Sequence, residues 1–99
     1  MTIVEFLNAR LAEDESAAHA ASPGTGGPER ARADVGAKRG IVEGYNETYR
    51  ECMDTLNNGA QSASEEDGAW SALHAWRRAL EHLAAVYAAH PDYDLSWKR

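Results

Sequence analysis

Residues 69–90, AWSALHAWRRALEHLAAVYAAH, decide the fold. Ala69, Leu73, Trp76, Leu80, Leu83 and Tyr87 recur at intervals of three and four, which lays them along one side of a helix. Arg77 and Glu81 stand four apart on the outer face and suit an ion pair. Ser64-Glu65-Glu66-Asp67 puts acids where the positive end of that helix begins. Pro91 biases His90 away from helical backbone. The spacing therefore predicts a helix over 65–90. Trp70 lies about 110° from the centre of the apolar side, so a three-helix core alone would not cover it fully.

Working outward, the start of the chain carries a capping box. Thr2 can accept from the third helical amide while Glu5 reaches back to the Thr2 amide. Ile3, Phe6, Leu7 and Leu11 follow at helical spacing, and Ala17, Ala18 and Ala21 continue the stripe, predicting a helix over 2–21. The breaker cluster SPGTGG at 22–27 reads as a flexible loop. Pro28 suits the first turn of a second helix. Val35, Val42, Tyr49 and Leu56 then repeat every seven residues, with Ala31, Tyr45 and Cys52 interleaved. Asn57-Asn58-Gly59 supplies the stop, so this helix is expected over 28–57. Tyr93, Leu95 and Trp97 make the tail 91–99 too apolar for a free end, and it is expected to fold back. No alternating β-branched run and no hairpin signal is present. The expectation is one all-α domain over 1–99, an up-down-up three-helix bundle with its tail packed on it.

Composition limits the function classes. The chain has 99 residues, 43% hydrophobic and 26% charged, a balance typical of soluble globular proteins. One cysteine excludes an internal disulfide framework. No apolar run approaches the roughly 18 residues of a membrane span. Glu5 and Arg10 interrupt the first apolar stretch, unlike a secretory signal, so a cytoplasmic setting is expected. The net charge is −6, and acids outnumber bases in each of the stretches 1–27, 28–59 and 60–99. A phosphate-tracking surface, and with it nucleic-acid binding, is not expected.

Few residues suggest chemistry. Glu13, Asp14 and Glu15 point about 100° apart and cannot converge on one ion. Asp14 falls on the Leu7/Leu11 side, level with Val35 and Lys38 if the first two helices pair antiparallel. A half-buried structural pair between Asp14 and Lys38 is expected, with Arg10 one turn away. Glu51-Cys52-Met53-Asp54 matches half of the paired magnesium motif of helical pyrophosphohydrolases, but no Glu-x-x-Glu accompanies it. No two of His19, His74, His82 and His90 stand three or four apart, so no helix face offers zinc a histidine pair. His90 suits a helix end, where an imidazolium meets the negative pole. Cys52 reads as a small core residue with no activating neighbour. No catalytic residue, metal site or cofactor is expected.

One pattern rises above packing. Gly36, Gly40 and Gly44 form a stripe roughly 170° from the Val35/Val42 seam, although each glycine weakens a helix by about 1 kcal/mol relative to alanine. Such a stripe lets another backbone approach closely.

Three blocks carry a family resemblance: FLNARLAEDE at 6–15, AKRGIV at 37–42, and LAAVYAAHPDY at 83–93 followed by Trp97. In these the chain resembles a small actinobacterial and actinophage family known only as a domain of unknown function. Members of that family carry a longer stretch between the first two helices, with aromatic and histidine residues, where this chain has only 22–27. The resemblance implies a bacterial or bacteriophage origin and no activity.

The reading is a non-enzymatic protein-binding adaptor or inhibitor, phage-encoded and directed at a bacterial host protein. Gly36, Gly40, Gly44, Trp70 and Trp97 are the expected contacts, toward a foreign protein or a second copy in a homodimer. A structural self-associating protein is the alternative. A nucleic-acid-binding module and a metal-dependent hydrolase rank below both.

Overall fold

The computed structural model describes residues 1–20, 27–59 and 62–99. Its first helix, α1 (Ile3–Ala20), starts where the capping box closes. The Glu5 amide donates to Thr2 Oγ1 at 3.1 Å, and the Thr2 amide donates to Glu5 Oε1 at 2.8 Å. Helix α2 (Gly27–Asn57) follows and stops beside Gly59, whose φ of +78° only glycine adopts without strain. Helix α3 (Ala63–Ala85) is capped by Ser62, which accepts the Glu65 amide. A short 3-10 turn at Leu95–Trp97 ends the order of elements. No strand occurs among the described residues. The protein is an all-α three-helix bundle.

The core joins Ile3, Phe6, Leu7 and Leu11 of α1 to Val35 and Val42 of α2, Leu80 and Ala84 of α3, and Trp97 of the tail. Phe6 is the hub, with the Tyr87, His90, Tyr93 and Trp97 rings all around it; the Trp97 centroid lies 5.0 Å away. The tail does fold back.

The helices are unequal, and that shapes the molecule. With 31 residues against 18, α2 outreaches α1 by roughly 20 Å. Residues Asp14 and Ala18 of α1 sit by Ala31 and Val35, whereas Thr2 and Ile3 sit by Tyr45 and Tyr49. The excess therefore projects past the start of α1. There α2 and α3 continue alone as a two-helix arm, residues 46–57 and 62–75, which gives the molecule its 56 × 26 × 18 Å extents. Cys52 and Leu73 are buried within the arm, outside the main core.

Several expectations are corrected here. Helix α3 ends at Ala85, not His90. From Val86 to His90 the backbone tightens into single turns, with Tyr87 donating to Ala84 and His90 to Tyr87. That turn aims Tyr87 and His90 at α1. Tyr49, placed in the α2 seam, is 47% exposed because only the first residues of α1 stand beside it. Gly27 already belongs to α2, and the rest of the expected loop, 22–26, lies outside the described residues, as does Ala21.

Candidate functional site

The most elaborate polar arrangement joins α1 to the turn after α3. Arg10 is 7% exposed, with its guanidinium carbon 5.2 Å from the Phe6 ring centroid. Its Nη2 donates to Glu13 at 2.7 Å, and its Nη1 lies against the His90 ring, 2.8 Å from Nδ1 and 2.5 Å from Nε2. A guanidinium only donates, so the imidazole accepts. The Asp92 amide also donates to His90 Nδ1, at 3.0 Å. His90 therefore fastens its own turn to α1, and it stands past the end of α3 instead of at a helix end.

Asp14 takes the Tyr87 hydroxyl at 2.6 Å. Burial, then this hydrogen bond, then the charges of Asp14 and Asp34 push the Tyr87 phenol well above its ordinary range. A catalytic tyrosinate needs the opposite shift. The expected Asp14–Lys38 pair is absent among the described residues. Lys38 bonds Asp34 of its own helix at 2.8 Å and lies 5.8 Å from the Tyr87 ring centroid. Asp34, one turn before Lys38, is the nearer carboxylate, and Tyr87 has already taken Asp14. Among the described residues no three His, Cys, Asp or Glu side chains are grouped to hold a metal ion.

The expected contact residues separate into two sets. Trp97 is only 4% exposed and packs on Phe6 and Tyr93, so it is core and not interface. Gly44 is also internal: a Cβ there would collide with the six-membered ring of Trp76. Successive members of a four-residue stripe turn by about 40°, so Gly44 has rotated about 80° from Gly36 and faces α3. Gly36 and Gly40 keep open space around them. Trp70 is 40% exposed on the arm and lies against His74. Glu66 and Asp67, four and three residues earlier, share its face.

The sequence reading missed a groove. Between the end of α3 and the tail lies a cavity of about 420 Å³, lined by Ala85, Ala88, Tyr93, Leu95 and Trp97. Glu81, His82, Lys98 and Arg99 supply its polar groups. Leu95 is 77% exposed beside it. No local spacing signals it, because the recess is made by the path of the tail across the end of α3.

Fold and surface define a small all-α protein with a polar latch, an acidic arm and an apolar groove. A family model matches residues 1–99, and the chain belongs to that family of unknown function, DUF6221. Neither the curated proteins nor the solved structures gave a match. No helix among the described residues is long and apolar enough to cross a membrane.

Proposed function

We propose that this chain is a non-enzymatic protein-binding adaptor or inhibitor that engages its partner at the arm. One observation carries the reading: Trp70 stands 40% exposed on a helix face that it shares with two carboxylates. Residues 46–75 hold six carboxylates against the guanidinium of Arg50, so five of the six net negative charges reside there. A partly exposed tryptophan among acids suits a partner with a basic surface and an apolar pocket, since tryptophan is a frequent interface anchor. The open Gly36–Gly40 face of α2 is a further contact in the same reading. A bacterial host protein as target, and a phage or actinobacterial source, belong to the proposal with it.

Affinity capture from a bacterial lysate, followed by titration of the purified captured protein, tests the reading. Trp70→Ala should weaken that complex at least tenfold, and raised salt should weaken it further. Wild type and Trp70→Ala binding the same proteins equally well would overturn it. Self-association is the second reading, favoured by the groove.

A further inference from the structure

The groove beside α3 is apolar in its walls and cationic at its edge. Leu95 is held outward by backbone: Asp94 accepts the Ser96 amide at 2.8 Å, and the Trp97 amide donates to the Asp94 carbonyl at 3.0 Å. The carboxylate among the lining groups, Glu81, receives Arg99 Nε at 2.6 Å and lies 3.8 Å from Arg77 Nε. Its charge is thus neutralised inside the wall. Lys98 forms no ion pair among the described residues. On a chain of net charge −6, this leaves the Lys98 ammonium as an open charge at the edge of an apolar recess.

A bulky ring flanked by carboxylates fits such a recess, and the chain itself carries one. Trp70 stands partly exposed on α3 with Glu66 and Asp67 on its face. We propose that the groove of one copy receives the Trp70 edge of a second copy, with Glu66 and Asp67 facing Lys98. This deepens the reading of Trp70 as a protein-binding anchor and rests on it. The contact is head-to-tail, since arm and groove are different surfaces. A contact built on one ring and a few charges is expected to be weak and salt-sensitive.

Sedimentation velocity of the full chain over a concentration series, at low and raised salt, reads this out. The wild type should sediment faster with concentration at low salt and less so at high salt. Trp70→Ala and Leu95→Asp, both at exposed sites, should each weaken association at least tenfold while keeping wild-type helical circular dichroism. Mixing these two variants should restore pairs that neither forms alone, because one keeps its groove and the other its arm. Leu95→Ala serves in place of Leu95→Asp if the charged variant loses its fold. A wild type that stays monomeric, variants that associate like it, or a mixture that forms no pairs would each overturn the proposal. A monomeric wild type that still captures another protein through Trp70 would overturn the self-contact alone and leave the adaptor reading in place.

Discussion

The Tyr87 hydroxyl donates to Asp14 Oδ2 at 2.6 Å and so joins the first helix to the turn that follows the last one. Lys38 lies near the same ring but stays with Asp34 on α2. A neutral phenol thus satisfies a half-buried carboxylate, and no second charge has to leave water for it.

Tyr87 makes a prediction about alkaline pH. Its folded pKa is raised, so the neutral phenol stabilises the fold, fully so below the ordinary tyrosine value near 10. That contribution is lost as pH rises from there through the folded value. In an absorbance titration the Tyr87 phenol should ionise above the ordinary tyrosine value, together with unfolding. Asp14→Asn should bring its midpoint down part of the way, since burial, the larger cause, persists. Tyr87→Phe should cost about 1–2 kcal/mol in urea denaturation.

Two glycines on one stripe should respond with opposite signs. Gly40→Ala places a methyl in open space and should stabilise by about 0.5–1 kcal/mol through helix propensity. Gly44→Ala drives a methyl into the Trp76 ring and should destabilise by about 1–2 kcal/mol after the same gain is subtracted. Thermal unfolding followed by circular dichroism separates the two.

Burial ranks the apolar substitutions. Leu80 is fully buried, and Leu80→Ala should cost about 2–5 kcal/mol. Trp97→Ala removes a buried ring from Phe6 and should cost about 3–5 kcal/mol. Leu83, only half-buried, should cost less than Leu80 in the same denaturation series.

Two carboxylates predict an acid response. Glu5 is held below the ordinary range by the Thr2 amide and hydroxyl, and Asp94 by the Ser96 amide and hydroxyl. Their contribution is present above the ordinary carboxylate pKa and lost as pH falls through the lowered folded values. Carbon-13 titration of the side-chain carboxyls should show both midpoints low. Ser96→Ala should raise the Asp94 midpoint without moving that of Glu5.

Helix identity was legible because burial follows spacing: Ile3, Phe6, Leu7 and Leu11 all turn inward as their period requires. The capping box and the Gly59 stop are local chemistry, and both formed as read. What spacing could not show was relative length and rotation. Tyr49 continues the α2 period correctly but lies level with the very start of α1, which leaves it half uncovered. Gly44 stands opposite the Val35 seam, yet α3 packs on a different side of α2 and meets it there. Asp14 was rightly placed off the outer face, but its partner came from a turn that exists only because α3 stops at Ala85. The open Trp70 was legible from its angle. The groove was not, since it arises from the path of the tail.

The packing of Trp97 on Phe6 has a consequence for the order in which the molecule is made. The two rings stand at nearly opposite ends of the sequence, and closing so long a loop is slow compared with pairing neighbouring helices. As the polypeptide leaves the ribosome, the helical segments 46–57 and 62–75 can pair from local contacts alone. The main core must wait until Trp97 has emerged. Throughout synthesis, then, Phe6, Leu7 and Leu11 are the apolar groups left uncovered longest, and the first helix is where a nascent chain is most open to chaperones or to aggregation.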